Sequence, residues 1–287
     1  MANEPTIDDM NLKRMADFYS LPDIVKAFRV GNLMWCKPFL DKAIAQTLTR
    51  TKKKIGEISV VDLGCGTAVF GEYLLGRGVQ SYTGIDVAPE MASDALAKAG
   101  DKATIVNANY RNTADTKIAE IAGKFDVVLA IGASDWQNNF FKHIADVIRF
   151  AKDGATVVDV EYFEGNFQDG VLKSDEKPLA AILKNQTKFV ELGISMSTSV
   201  VSALMSLIKN PRAVADFIKL AQNPTFQDYS VRANLIPLTS IRAFVSLANA
   251  QVGVMTGGPY NPAVIVFEVT PGLREIVAKV LATGGES

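Results

Sequence analysis

The sequence is poor in the residues that most metal sites and disulfide-rich folds require. Its 287 residues include a single histidine, His143, and two cysteines, Cys36 and Cys65. One histidine excludes a multi-histidine metal site and argues against a Ser-His-Asp triad. Two cysteines cannot build the disulfide framework of a small secreted domain. We therefore expect no bound metal and no disulfide framework.

Charge of one sign and long apolar runs are also missing. Lys and Arg total 30 against 31 Asp and Glu, so we expect no chain-wide attraction to nucleic acid or to an anionic membrane. No apolar run approaches the roughly 20 residues that cross a bilayer, and the first residues lack a signal-peptide pattern. We expect a soluble, cytoplasmic protein without a nucleic-acid partner or a membrane span, and the sequence leaves a homodimer open.

Apolar residues are abundant, at 48% of the chain, and they occur in an alternating order. Short continuous apolar strands alternate with helical segments over residues 58–160, which indicates parallel strands buried on both faces of a doubly wound α/β sheet. Two late strand patterns flank a Gly/Pro turn at residues 257–262. That spacing predicts an antiparallel hairpin at a sheet edge.

The same patterns divide the chain into three regions. Residues 1–55 are amphipathic and helical in pattern, which predicts an N-terminal helical cap. The α/β rhythm of residues 56–162 returns at residues 238–287 and predicts one Rossmann-like core. Residues 163–237 lie between these two parts and are helical in pattern, with several prolines, which predicts a helical insertion.

A glycine-rich turn follows the first strand of the predicted core. The segment Val61-Asp62-Leu63-Gly64-Cys65-Gly66-Thr67 joins a predicted strand to a predicted helix, and its glycines permit a sharp turn and close approach of a ligand. Asp86 ends the next strand, 24 residues after Asp62. An acid at that strand end can bind both hydroxyls of a ribose. The two signals together predict an adenosine-type ligand.

Two other nucleotide-binding patterns fit this turn less well. The dinucleotide pattern requires a third glycine where Val69 stands, and Gly71 comes two residues too late. No Gly-Lys-Ser/Thr follows the turn, which excludes a phosphate-binding P-loop. An NAD-dependent oxidoreductase remains as an alternative.

Four segments resemble, in the same order and at similar spacing, motifs of the class I S-adenosylmethionine-dependent methyltransferases that act on small molecules. These segments are residues 61–67, 84–91, 125–130 and 151–158. The resemblance implies a Rossmann-like sheet of seven strands with an antiparallel last strand, N-terminal helices, and an insertion that forms a lid over the acceptor. It also implies S-adenosyl-L-methionine as the cofactor and S-adenosyl-L-homocysteine as its product.

The resemblance carries cofactor-binding roles onto particular residues. They are Asp62, Gly64, Gly66, Asp86, Val87, Met91, Asn109, Ala130 and Ile131. The first three border the amino acid part of the cofactor, and Asp86 holds the ribose. The next three surround the adenine, and the last two lie near the methionyl part. Two departures from the family pattern are Ala68 in place of a glycine and Asn109 in place of an aspartate, although an amide oxygen still accepts a hydrogen bond.

Candidates for the acceptor site lie mostly after the fourth and fifth strands. Asp135 and Glu161 are candidate catalytic residues, since either can take a proton from the acceptor or hold a cationic one. Tyr19, Trp136 and Tyr162 are candidates for the substrate pocket. Asp135 equally suits a helix N-cap, and Trp136 suits core packing. His143 and Cys65 are expected to be structural, with His143 partly exposed.

The sequence therefore predicts S-adenosylmethionine-dependent methylation of a small molecule at oxygen or nitrogen, in biosynthesis or secondary metabolism. The apolar character of the insertion favours an apolar or aromatic acceptor. Three alternatives remain: the NAD-dependent oxidoreductase, a protein that binds S-adenosylmethionine without transferring its methyl group, and a module that binds membrane surfaces through residues 194–220.

Overall fold

The computed structural model describes residues 12–13, 16–17, 19–22, 25, 36–98, 100–133, 140–162, 166–168, 171–173, 244, 247–248, 250–254 and 262–283. The strands in these stretches are β1 Ser59–Leu63, β2 Ser81–Asp86, β3 Ala103–Asn107, β4 Phe125–Ile131, β5 Ala151–Tyr162, β6 Asn166–Gln168, β7 Val171–Lys173, β8 Gln251–Val254 and β9 Pro262–Glu268. The helices are α1 Lys37–Thr51, α2 Val69–Gly76, α3 Pro89–Lys98, α4 Thr116–Ile121, α5 Phe140–Ile148 and α6 Pro271–Ala282. None of the helices described here is long and apolar enough to cross a bilayer.

Seven of these strands form one sheet in the order β3-β2-β1-β4-β5-β9-β8. Strands β1 to β5 pair in parallel, and β9 is antiparallel to both of its neighbours. This confirms the predicted doubly wound, Rossmann-like sheet with an antiparallel last strand. The direction of winding reverses at β1, which pairs with both β2 and β4. Ligands of such sheets bind beyond the carboxyl ends of the strands at that reversal.

Apolar side chains cover both faces of the sheet, as continuous apolar strands require. Neighbouring residues of a strand point to opposite faces, so Val61 packs in one buried cluster with α5 and α6, and Val60 packs in the other with α1 and α2. The sheet is therefore a rigid support, and its carboxyl edge holds the loops that carry the glycine-rich turn.

Helix α1 belongs to the core rather than to a separate cap. Its Leu40, Ala43 and Ile44 are buried in the same cluster as strand residues. At its carboxyl end, the Thr47 and Thr156 hydroxyls lie 2.7 Å apart, and Arg50 Nη2 donates to Thr156 Oγ1 at 2.7 Å. The structure thus packs α1 on the core sheet, and the boundaries expected for the cap, core and insertion stay predictions. The helical pattern of the sequence reveals an apolar face, but not the surface that covers it.

The insertion starts with strands instead of the expected helix. Strands β6 and β7 pair in antiparallel register, with Gln168 opposite Val171. The two residues between them in the sequence are Asp169 and Gly170, and Asp-Gly is a pair that favours tight hairpin turns. This local signal overrides the helical pattern of its surroundings. Residues 174–237, the rest of the predicted helical insertion, lie outside the described stretches.

Candidate cofactor site

The glycine-rich turn after β1 is built from left-handed backbone conformations. Gly64 and Gly66 have φ angles of +70° and +52°, and Ala68 has +55°. The N–H groups of Gly64 and Cys65 both donate to the carbonyl oxygen of Ile85, at 2.8 and 3.0 Å, which draws the turn over the end of β2. A side-chain carbon on Gly66 would meet no atom within 4 Å. Glycine at this position therefore serves backbone conformation and leaves the turn open to a ligand.

Asp86, at the end of β2, fastens this turn through its side chain. Its Oδ2 accepts a hydrogen bond from the Gly66 N–H, and its Oδ1 accepts one from the Ala88 N–H, each at 2.8 Å. Burial raises the pKa of Asp86 to about 6, against the opposing effect of these backbone bonds. An ionised carboxylate has about four acceptor positions, so the backbone bonds from Gly66, Ala88 and Val87 leave acceptor capacity for a ribose.

Asp62 lies below the turn and is almost fully buried, with 1% of its surface exposed. The Tyr82 hydroxyl donates to Asp62 Oδ2 at 2.6 Å. Burial raises the pKa of Asp62 to about 7, the Tyr82 bond lowers it, and the charge of Asp86 raises it further. The Tyr82 ring reaches Asp62 by passing beneath α2, where a side-chain carbon on Gly71 would lie 2.6 Å from it. Gly71, which is misplaced for a dinucleotide turn, thus permits close helix–strand packing.

Gly84 makes room behind the turn for Cys65. A side-chain carbon on Gly84 would lie 2.7 Å from Cys65 Sγ and 2.9 Å from Ile105 Cδ1. Burial and the nearby carboxylates of Asp86 and Asp62 raise the pKa of the Cys65 thiol well above its ordinary value. Cys65 is therefore a packing residue, and its reactive thiolate form is disfavoured.

The loop after β3 forms the side of the site predicted to hold adenine. The Asp86 carbonyl oxygen accepts hydrogen bonds from Ala108 N–H at 3.0 Å and from Asn107 Nδ2 at 2.9 Å, which joins this loop to β2. Asn109 Oδ1 accepts the Arg111 N–H at 3.0 Å in an Asx turn. Because an amide oxygen has two lone pairs, Asn109 retains one acceptor position for an adenine amino group.

The remaining cofactor candidates differ in how much surface they present. Val87 and Ile131 are partly exposed, and Ile131 ends β4 at the carboxyl edge of the sheet. Met91 and Ala130 are almost fully buried, at 1% and 0% exposed. Val87 and Ile131 are therefore accessible to a ligand, whereas Met91 and Ala130 present almost no surface to one. Their predicted contacts with the cofactor stay predictions.

Residues 60–154 match the family model described as Methyltransferase domain. The chain contains a methyltransferase domain. This confirms the resemblance found in the four sequence motifs, and with it S-adenosylmethionine as the cofactor of the family. Every residue predicted to bind the cofactor lies within the matched segment.

The chain is also similar, at low identity, to solved structures of methyltransferases. One is the 1,6-didemethyltoxoflavin-N1-methyltransferase of Burkholderia thailandensis, at 12% identity and a TM-score of 0.48, covering 94% of this chain and 93% of that one. Another is the magnesium protoporphyrin IX methyltransferase of Synechocystis with bound S-adenosylmethionine, at 12% identity and a TM-score of 0.49, covering 93% and 100%. No curated protein sequence matches the chain. At these values the likeness supports no conclusion about the acceptor.

The geometry of the glycine-rich turn suits S-adenosylmethionine independently of the family match. The space above Gly66 is open, and Asp86 retains acceptor capacity for a ribose. Thr67 is 2% exposed, and its Oγ1 has no hydrogen-bond partner among the residues that the structure describes. A buried hydroxyl without a partner carries a free-energy cost that a polar ligand can relieve.

The structure describes only some of the residues predicted to bind the acceptor. Glu161 and Tyr162 end β5, opposite Ala263 and Pro262 of β9, so their backbones lie at the carboxyl edge of the sheet. Asp135 and Trp136 lie outside the described residues. Tyr19 is half-buried in a helical stretch of the N-terminal region. The roles of these side chains in acceptor binding and proton transfer stay predictions.

His143 is buried, contrary to the partly exposed position expected from the sequence. It is 0% exposed, and its Nε2 lies 3.0 Å from Oδ1 of Asp159, which is also 0% exposed. Asp159 lies opposite Ala130 in the β4–β5 register. An overlooked signal was available, because Asp159 is a charged residue inside the apolar run of β5, and buried charges require partners.

Proposed function

We propose that the chain transfers the methyl group of S-adenosylmethionine to an oxygen or nitrogen of a small molecule. The observation that carries the proposal is the Asp86 carboxylate. It accepts a hydrogen bond from the Gly66 N–H of the glycine-rich turn and retains acceptor capacity for a ribose, and the turn is open at Gly66. This arrangement suits an adenosyl ligand, and it lies within residues that match a methyltransferase domain.

The cofactor supplies an electrophilic methyl group on a sulfonium, so the protein mainly orients the reactants and shapes the electrostatics. With the cofactor bound, Asp86 would accept hydrogen bonds from the ribose hydroxyls, and the Asn109 side-chain oxygen would accept one from the adenine amino group. Asp62, with its pKa near 7, lies below the turn that borders the amino acid part, where a ligand ammonium group favours its ionised form.

On the acceptor side, Asp135 or Glu161 would take the proton that the acceptor loses. The bond between the acceptor and the methyl carbon would form as the carbon–sulfur bond breaks, with S-adenosylhomocysteine as the leaving group. Tyr19, Trp136 and Tyr162 line the pocket, and the insertion at residues 163–237 covers it. The apolar composition of that insertion supports an apolar or aromatic acceptor. The same proposal places the reaction in biosynthesis or secondary metabolism in the cytoplasm, and includes a homodimer.

Calorimetric titration tests cofactor binding. We expect S-adenosylhomocysteine to bind the purified protein and NADH not to bind. Asp86→Ala weakens S-adenosylhomocysteine binding by about 1.5–3 kcal/mol, the usual contribution of hydrogen bonds to a charged group. Asp101→Ala, which changes an exposed turn residue, is the matched control and leaves the affinity unchanged. Binding of NADH alone, or unchanged affinity in Asp86→Ala, refutes the proposal.

Product formation tests methyl transfer itself. The protein is incubated with S-adenosylmethionine and either the small-molecule or the macromolecular fraction of a cell extract, and S-adenosylhomocysteine is measured. We expect production only with the small-molecule fraction, and a lower rate in Asp135→Asn or Glu161→Gln at unchanged cofactor affinity. Production that depends on the macromolecular fraction, or binding without any production, contradicts the proposed activity.

A further inference from the structure

Two side chains of the loop after β3 converge on one backbone atom of the loop after β4. The Tyr110 hydroxyl and Arg111 Nη2 each donate to the Ala133 carbonyl oxygen at 3.1 Å. Arg111 Nε also donates to the Tyr110 hydroxyl at 3.3 Å, and its guanidinium carbon lies 5.3 Å from the centre of the Tyr110 ring. Both lone pairs of this carbonyl oxygen are therefore used by the β3 loop.

Ala133 also touches the glycine-rich turn. Its Cβ lies 3.4 Å from the position that a side-chain carbon on Gly64 would occupy, so the absence of that carbon lets the two loops lie against each other. Both Ala133 and Tyr110 are buried, at 8% exposed each. Because the packing is tight, a movement of the loop after β4 would displace the glycine-rich turn.

These contacts close a ring around the candidate cofactor site. The glycine-rich turn is bonded to the end of β2 through Asp86, and the Asp86 carbonyl is bonded to the β3 loop through Ala108. The β3 loop is bonded to Ala133, and Ala133 packs against Gly64. The adenine side and the amino acid side of the site are thereby linked by a path that avoids the ligand.

We propose that Arg111 and Tyr110 are positioning residues that hold the amino acid side of the cofactor site in register with its adenosine side, through the carbonyl oxygen of Ala133. This inference rests on the proposed function. In this proposal neither side chain contacts the ligand. Their effect is preorganisation, because a site already held in its binding geometry loses less free energy on ordering when the ligand arrives.

The test compares two ligands that use different parts of the ring. Adenosine requires only the side formed by Asp86, Val87 and Asn109, whereas S-adenosylhomocysteine also requires the turn beside Ala133. In the Tyr110→Phe/Arg111→Met double variant, we expect S-adenosylhomocysteine affinity to fall about tenfold or more and adenosine affinity to change less than about threefold. The N–H that Asn109 accepts is a backbone group and survives both substitutions.

Arg274→Met is the matched control. Arg274 also donates to two backbone carbonyls, those of Ile148 and Ala151 at 2.8 and 2.7 Å, but at the amino end of β5. We expect Arg274→Met to lower the unfolding temperature without changing the affinity for either ligand. Among single variants, Arg111→Met should lower the S-adenosylhomocysteine affinity, and Arg111→Lys, which keeps a cationic donor, should retain most of it.

Three results overturn the inference. One is an equal loss of affinity for both ligands in the double variant, and another is no loss for either. The third is a loss specific to S-adenosylhomocysteine in Arg274→Met, because it would mean that reduced stability alone produces the effect. Failure of the unaltered protein to bind S-adenosylhomocysteine would instead refute the proposed function, and this inference with it.

Discussion

Gly84→Ala should destabilise the protein and weaken cofactor binding together, since Gly84 lies directly behind the glycine-rich turn. The added carbon would lie 2.7 Å from Cys65 Sγ and 2.9 Å from Ile105 Cδ1. The end of the Ile105 side chain can rotate away. Cys65 has less freedom, because its N–H and that of Gly64 are both bonded to the Ile85 carbonyl.

The expected magnitude follows from two opposing effects. Overpacking of this kind costs about 1–3 kcal/mol, and replacing glycine by alanine in a strand recovers about 0.5–1 kcal/mol of backbone entropy. The free energy of unfolding should therefore fall by about 1–2 kcal/mol. Cys65 lies between Gly64 and Gly66, so its displacement moves the turn, and affinity for S-adenosylhomocysteine should fall several-fold.

Urea unfolding and calorimetry measure both effects, and a double-mutant cycle assigns the cause. Cys65→Ala removes the sulfur, so Gly84→Ala should cost less than about 1 kcal/mol in that background. Gly76→Ala is the control, since a side-chain carbon there would meet nothing within 4 Å. A neutral Gly84→Ala, or an equal cost with and without the Cys65 sulfur, would refute the packing argument.

Further predictions concern the buried groups around the site. Gly71→Ala, although helix-favouring, lowers the free energy of unfolding by about 1–2 kcal/mol, because its carbon would lie 2.6 Å from the Tyr82 ring; increased stability in urea would contradict this. Without ligand, the protein loses stability as the pH rises from about 4 to about 7, since burial raises the pKa of Asp62 from 3.8 to about 7 and the folded state binds the extra proton. Asp62→Asn should reduce the loss of unfolding free energy between these pH values by at most about 4 kcal/mol, as measured by chemical denaturation. An unchanged dependence of unfolding free energy on pH would contradict the role given to Asp62. Asp159→Ala removes the carboxylate that faces Nε2 of the buried His143 and costs about 1–3 kcal/mol. The paired substitution His143→Leu/Asp159→Val should cost less in the same assay, and a larger cost would disprove the pairing argument.

Local sequence signals predicted much of the fold and of the cofactor site. The alternation of apolar strands with helical segments predicted the parallel sheet, because such strands must be buried on both faces. The glycine-rich turn and Asp86 were predicted to serve one adenosine-type ligand, and the structure also joins them through a hydrogen bond from Gly66. The Asp169-Gly170 pair between β6 and β7 was an equally local signal, which the prediction of a helical insertion overlooked.

Contacts between residues distant in the sequence could not be predicted in this way. The buried pair of His143 and Asp159 depends on how α5 packs on β5. The contacts of Tyr110 and Arg111 with Ala133 depend on the approach of two loops that the strand pattern does not specify. Periodicity identifies the buried face of an element but not its partner, because many packings bury the same face.

A crystal structure with bound S-adenosylhomocysteine tests the central claim most directly. The account predicts both ribose hydroxyls within about 2.5–3.0 Å of the Asp86 carboxylate, with the amino acid part against the turn at Gly64 and Gly66. A ligand bound elsewhere, or a ribose that makes no contact with Asp86, would contradict the assignment of this site.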